Sequence, residues 1–260
     1  MNRLALVRRP SPLLADGLVT HIERSDDVDA DLALRQWEGY VDALHAAGWT
    51  TREVPAAPDS PDSAFVEDTM VVYGDLAVIS RPGAEERWTE IPAAADTVCE
   101  LGYRMVHIEA PGTLDGGDVL KYGGTVWVGR GGRTNDEGIA QLAAHLEPLG
   151  AKVVAVPLTK VLHLKSAVTA LPDGTVIGYE PLVDDQGVWG DAFLAVPEEP
   201  GAHVVLLDDD VLLMSAAAPE SARLFSERGY RVVTVDISEF EKLEGCVTCL
   251  SVRLRGRPGR

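Results

Sequence analysis

Two cysteines three positions apart, Cys246 and Cys249, stand close to the end of the sequence in the run Cys246-Val247-Thr248-Cys249-Leu250-Ser251-Val252-Arg253-Leu254. A thiol here has three readings. It is a small buried hydrophobe, as unpaired cysteines commonly are, half of a Cys-x-x-Cys redox pair, or a nucleophile. A redox pair favours a first cysteine at a helix N-terminus, whereas apolar and polar residues alternate from Val247 onward and predict a strand. A zinc site is short of ligands, since no second cysteine pair or His-x-His spacing completes it. Neither a metal nor a cofactor is expected. A nucleophilic thiol needs an acid/base partner, and His163 offers a side chain whose pKa lies close to working pH. Asp115 stands between Leu114 and Gly116-Gly117, glycines that let the backbone turn sharply and present the carboxylate. It is suited to orient a histidine as the third group of a triad does. The plainer alternatives are a hydrogen-bonded core histidine and a turn aspartate.

The acids suggest what such a thiol would attack. Asp62, Glu67 and Asp68 flank Phe65 in a stretch whose neighbours, Val66 and Met70-Val71-Val72, suggest burial. Carboxylates gathered at a buried joint are costly unless a cation neutralises them. A planar guanidinium does so with paired hydrogen bonds, and Phe65 can pack against its face. For Asp62 a solvated acidic loop is the alternative. Arg87 and Arg133 each follow a hairpin at a similar offset and are candidates to hold a carboxylate at the other end of the ligand, although surface arginines are common. A ligand cationic at one end and anionic at the other would be an arginine derivative.

Residues this far apart meet only if the fold gathers them, and a repeat supplies the means. Helix-like stretches at 31–47, 84–101, 134–149 and 219–228 end at Gly48, Gly102, Gly150 and Gly229, each followed by a β-rich run. Glycine takes the left-handed conformation that closes a helix at no steric cost. Hairpins are expected around Gly74-Asp75, Gly123-Gly124 and Asp173-Gly174, which carry the residues tight turns require. The unit is therefore strand, strand, helix, strand. The copy between 180 and 201 is blurred by Pro, Gly and Asp. Pairing 249–254 with 3–7 would complete a ring of five units and leave no free edge; an open α/β sheet is the alternative. Equivalent joints of a pseudo-symmetric ring converge on its axis, and the joints before the hairpins hold 65–69, 114–118, 163–166 and Cys249.

Composition narrows the partners. The 260 residues carry a formal charge of −18 and are 46% hydrophobic. This charge argues against nucleic acid, which needs Lys and Arg, and against an anionic membrane surface, and it permits a cationic small molecule. Three cysteines cannot all pair within the chain, which favours a reducing, cytoplasmic setting. The opening apolar run is broken by Arg8, Arg9 and Pro10, so no signal peptide or spanning helix is expected there. One catalytic domain over 1–255, a disordered tail over 256–260 and a monomer or homodimer are expected.

Taken together, these residues resemble the dimethylarginine dimethylaminohydrolase family, of the guanidino-group-modifying superfamily with the five-bladed α/β propeller, or pentein, fold. The resemblance runs nearly the whole length. It rests on Asp62 with Phe65-Val66-Glu67-Asp68-Thr69, Arg81-Pro82-Gly83-Ala84 leading to Arg87, and Thr113-Leu114-Asp115-Gly116-Gly117-Asp118-Val119-Leu120. Arg133-Thr134-Asn135, His163-Leu164-Lys165-Ser166 and Thr248-Cys249-Leu250-Ser251-Val252 complete it. It implies hydrolysis of Nω-methylated arginines to citrulline and dimethylamine or methylamine, with Cys249 as nucleophile, His163 as general acid/base and Asp115 as its partner. It further implies Asp62, Glu67 and Asp68 as guanidinium ligands, Arg87 and Arg133 as carboxylate ligands, and Leu18 on a lid. Some members of the family carry Glu where this chain has Asp115. Three nearby carboxylates are expected to raise the Cys249 pKa above its free value of about 8.5, leaving a neutral thiol that a bound guanidinium activates. An arginine deiminase or amidinotransferase of the same superfamily, or a non-catalytic binder of cationic metabolites, are the rival readings.

Overall fold

The computed structural model describes residues 3–24 and 27–255, so the tail expected to be disordered lies outside the described residues. The chain enters on β1 (Leu4–Val7), crosses over through α1 (Ala30–Ala46) and returns on β2 (Thr50–Glu53), parallel to β1. Asp29 caps α1 by accepting from the Asp31 and Leu32 amides, and its Ala33, Trp37, Tyr40 and Leu44 side is buried. The next unit is the hairpin β3 (Met70–Tyr73) and β4 (Leu76–Ile79), then α2 (Ile91–Glu100), then β5 (Arg104–His107) parallel to β4. The pattern recurs in β6 (Val119–Tyr122), β7 (Thr125–Arg130), α3 (Asp136–Leu146) and β8 (Lys152–Pro157). A single helical turn, α4 (Leu164–Ala167), leads into β9 (Val168–Ala170), β10 (Val176–Gly178) and β11 (Phe193–Ala195). The last full unit is β12 (Val204–Asp208), β13 (Val211–Ser215), α5 (Pro219–Glu227) and β14 (Arg231–Val235). After α6 (Ser238–Glu241), β15 (Val252–Leu254) pairs antiparallel with β1, Leu4 opposite Leu254.

Among the described residues five three-stranded sheets result, each with one antiparallel and one parallel pair, and the first is assembled from both ends of the chain. This is the expected closed α/β propeller. Gly48, Gly102, Gly150 and Gly229 all take positive φ, as do Gly74, Gly123, Gly124 and Gly174 in the hairpins. The apolar residues fall into five clusters that join neighbouring sheets. One packs Leu6, Val252 and Leu254 of the first sheet on Met70, Ala77 and Ile79 of the second. Another unites Ala5, Val7 and α1 with Val205, Leu213 and Val235 of the last. Burial is thereby distributed around the ring rather than concentrated in one central core.

Several boundaries differ from expectation. In the second unit α2 begins only at Ile91, with Pro92 in its first turn where a missing N–H costs nothing, and Glu85–Glu90 winds as a 3₁₀ helix. Between β10 and β11 the blurred unit has no α-helix among the described residues; Pro181, Gly187 and Gly190 break the segment into three short 3₁₀ turns. The terminal strand is shorter than the alternation predicts. Residues 247–250 form a turn, closed by the Cys249 amide donating to Cys246 O at 3.0 Å. Arg253 Nη1 then binds Thr248 O at 3.2 Å and Ser251 O at 3.0 Å, carbonyls that a strand would have offered to a neighbour. Among the described residues no helix is long and apolar enough to cross a membrane.

Candidate active site

The joints preceding the hairpins do converge. Asp62 lies in the 3₁₀ turn Pro61–Ala64, Glu67 and Asp68 in the following turn Val66–Thr69, and Phe65 links the two. Asp115 caps the turn Gly116–Asp118, and His163 stands immediately before α4 rather than directly before a strand. A cavity of about 20 Å³ is lined by Leu18, Asp62, Phe65, Asp68, Arg87, Arg133, His163 and Cys249, with Leu162, Leu243, Glu244 and Gly245. Cys249 is held from below. Tyr40 Oη and Ser251 Oγ share a hydrogen bond of 2.7 Å, the Glu67 amide donates to Cys249 O at 3.1 Å, and Arg253 pins the turn.

His163 is clasped between two aspartates. Its Nε2 lies 3.0 Å from Asp115 Oδ2 and its Nδ1 lies 3.8 Å from Asp68 Oδ1. The shorter Asp115 side chain therefore does reach the ring. Burial disfavours the imidazolium, but the Asp68 charge, the Asp115 hydrogen bond and the nearby Asp118 outweigh it and lift the pKa to about 9. The glycines beside Asp115 act by making room, since neither takes positive φ. A Cβ on Gly117 would lie 2.6 Å from Asp68 Oδ1 and 2.7 Å from His163 Nδ1, and one on Gly116 would lie 2.0 Å from Glu67 O. Asp115 is itself fixed by the Gly83 amide, which donates to Oδ1 at 3.0 Å. Asp118 underpins the histidine segment by accepting from the Leu164 amide at 3.0 Å and the Thr134 hydroxyl at 2.6 Å; burial first of all pushes its pKa up to about 7.

The arginines turn toward the acids. Arg87 Nη1 pairs with Asp68 Oδ2 at 2.5 Å, its Nη2 with Glu90 Oε2 at 2.7 Å and with Phe65 O at 3.0 Å. Burial alone would depress this guanidinium, but Glu90 and Asp68 raise its pKa well above the ordinary value. Desolvation of Asp68 is likewise overridden, by His163 and Arg87, and its carboxyl is held well below the usual range. Arg133 Nη1 stands 3.5 Å from Asp115 Oδ2. Asp62 accepts the Leu18 amide at 3.1 and 3.2 Å, and burial raises its pKa. The segment bearing Leu18 is tied a second time, by Glu244, which accepts the Thr20 amide at 2.9 Å.

Glu67 is placed differently from Asp68. It does not line the cavity of Cys249 and His163 but borders a larger one of about 520 Å³. Its Oε1 pairs with Lys165 Nζ at 2.6 Å and Arg253 Nη2 at 2.9 Å, whereas Oε2 is buried with no hydrogen-bond partner among the described residues. The Cys249 thiol is pushed well above its ordinary pKa. The hydrogen bond shared with Cys246 contributes most, followed by burial and the charges of Glu67 and Asp68. The neutral thiol expected from the acids is thus upheld, with Cys246 and burial as the leading causes.

Sequence reasoning did not single out Leu162, Leu243, Glu244 or Gly245 of the cavity wall, nor Glu90 as the partner of Arg87. Nothing in their local pattern marks them; they arrive from chain segments packed around the joints. Asp68, Asp115 and His163 present possible ligand atoms within 4.8 Å of one another. These carboxylates already accept Arg87, the Gly117 amide, the Gly83 amide and His163, so the cluster is an ion-paired relay. It can hold a proton on an imidazole in the chamber that the thiol also lines, together with the carboxylates of Asp62 and Asp68.

No protein-family model matches the chain. It is 62% identical over 254 residues to the N(G),N(G)-dimethylarginine dimethylaminohydrolase of Streptomyces coelicolor, covering 98% of each chain. Identity to the protein of the same name from Pseudomonas aeruginosa is 34% over 257 residues, 97% of this chain and 100% of that one. Among solved structures, a dimethylarginine dimethylaminohydrolase in adduct with S-methyl-L-thiocitrulline superposes with a TM-score of 0.91 at 32% identity, covering 98% of this chain and 100% of that one. The Pseudomonas aeruginosa enzyme complexed with citrulline gives a TM-score of 0.88 at 32% identity with the same coverage.

Proposed function

The chain belongs to the dimethylarginine dimethylaminohydrolase family, and from that footing we propose that it hydrolyses Nω-methylated arginines, asymmetric dimethylarginine and monomethylarginine, to citrulline and dimethylamine or methylamine. The observation that carries the reading is a single chamber holding a protonated imidazole, a thiol and the carboxylates of Asp62 and Asp68. The substrate guanidinium sits between Asp62 and Asp68, with Phe65 beside it. To do so it takes over part of the charge that Arg87 now offers Asp68. Arg87 and Arg133 then face the substrate carboxylate, and Leu18 closes over it.

The chemistry follows from the charges. A cationic substrate lowers the Cys249 pKa as it arrives, so the thiol gives up its proton to solvent and the thiolate forms only where it is needed. The sulfur adds to the central guanidinium carbon. His163, protonated at neutral pH, gives its proton to the departing amine, leaving an S-alkylthiouronium on Cys249. The imidazole, now neutral, removes a proton from water, which adds to the same carbon; collapse releases citrulline and the thiol. Asp115 keeps the ring oriented in both halves. Every step uses groups of the chain itself. The partner is a small molecule, and the cysteine usage suits the cytoplasm.

Incubation with asymmetric dimethylarginine followed by assay of citrulline and dimethylamine tests the reading. Equimolar release of both is expected, together with a trapped Cys249 adduct by mass spectrometry. Ammonia from unmethylated arginine, with no dimethylamine, would assign the chain to deiminase chemistry instead. Cys249→Ser is expected to abolish turnover and keep most of the binding, read by calorimetry.

A further inference from the structure

Cys246 has no role in the chemistry above, yet its sulfur lies 3.4 Å from that of Cys249. Both residues are buried, at 3% and 6% exposure. The turn closed by the Cys249 amide and Cys246 O keeps the two Cα atoms within about 7 Å, inside the range a disulfide bridges. A bond of about 2.05 Å needs only a further approach of about 1.4 Å, a side-chain rotation rather than a backbone shift. Access is asymmetric. Cys249 lines the cavity of about 20 Å³, whereas Cys246 does not. A chamber of that size admits an oxidant near the dimensions of water. The third cysteine, Cys99, is exposed on α2, where it is open to bridging between molecules.

We propose that Cys246 is a resolving thiol, making the pair a peroxide-responsive modification site that switches off and shields the residue read above as the nucleophile. Cys249 passes its proton to the Cys246 sulfur, whose thiolate form is favoured by the hydrogen bond they share. It then attacks one oxygen of a hydroperoxide, forming a sulfenic acid and releasing hydroxide or alkoxide, which takes that proton back from Cys246. The Cys246 thiolate then attacks the Cys249 sulfur and expels the remaining oxygen as hydroxide. Two thiols and one peroxide yield one disulfide, with water and water or alcohol, the two sulfurs supplying the two electrons. The bridge occupies the sulfur that must add to substrate, so activity stops, and it blocks further oxidation to sulfinic acid. A dithiol restores both thiols.

Full-length protein treated with hydrogen peroxide, in a Cys99→Ser background that removes intermolecular bridging, tests this. Intact mass is expected to fall by about 2 Da, with 246 and 249 cross-linked in the non-reduced digest, and activity is expected to fall and return with dithiothreitol. In Cys246→Ala, and in Cys246→Ser should the first fold poorly, peroxide is expected to carry Cys249 to sulfinic acid. The loss, as a fraction of that variant's own starting activity, is then not recovered. A wild-type digest with sulfinic Cys249 beside free Cys246 would overturn the proposal, as would equal recovery with and without Cys246. The mass readout needs no substrate, so absence of methylarginine turnover would sink the functional reading and leave the bridge standing.

Discussion

Glu67 and Asp68 are neighbours in sequence, identical in charge and equally buried, yet they serve different cavities. Asp68 faces His163 and Arg87 in the small chamber with the thiol. Glu67 turns to Lys165 and Arg253 beside the larger cavity. Both lie in one 3₁₀ turn, where successive side chains diverge by about 120°. Each carboxylate is matched by cations, but the consequences differ. On the Asp68 side the charges hold a proton on an imidazole; on the Glu67 side they fix the turn that presents Cys249. Burial by itself thus says little about role, and the partner of each acid says most.

Removing Asp68 should be the largest perturbation. Asp68→Asn strips His163 and Arg87 of a shared counter-charge, and turnover is expected to fall at least ~10²-fold. The alkaline limb of the free-enzyme pH profile, expected as pH rises through about 9, should move down toward ~6.5. A rate loss with an unmoved limb would separate Asp68 from the histidine proton. Arg87→Leu leaves Asp68 and Glu90 buried without their cation, and denaturant unfolding should register a loss of ~3–5 kcal/mol. Glu67→Gln is expected to be milder, about 1–3 kcal/mol, because Arg253 keeps its bonds to Thr248 and Ser251. A limb shift in Glu67→Gln as large as in Asp68→Asn would erase the contrast between the two acids. The smallest effect concerns stability against pH. His163 binds its proton more tightly folded than unfolded, so this contribution is fully present below ~6.5 and lost as pH rises through about 9. His163→Asn should flatten the wild-type decline across that window in denaturation midpoints.

Much of the architecture was legible beforehand because its causes are local. The helix-closing glycines, the Gly-Gly and Asp-Gly turns and the alternating strands each answer to the backbone of a few residues, and four such units imply a ring. The candidate residues were legible for a related reason: they occupy equivalent joints of the repeat. Phe65 illustrates the limit. Its place in the cavity wall followed from its joint, while its edge-on packing with Phe240 at 6.1 Å did not. The expected strand at Cys249 failed because alternation reports which residues are buried, and a turn pinned by Arg253 buries the same ones.

What the sequence determined by itself was the repeat, its closure through the two ends and the set of polar residues brought to the axis, since these depend on local conformational preference and on spacing. Tertiary structure decided how that set divides. It turned Asp68 toward the imidazole and Glu67 away, filled the space above Gly117 with a carboxylate and a ring, and set two sulfurs 3.4 Å apart. Such choices rest on distances across the ring, where electrostatic and contact energies change within an ångström or two, and no local pattern encodes them.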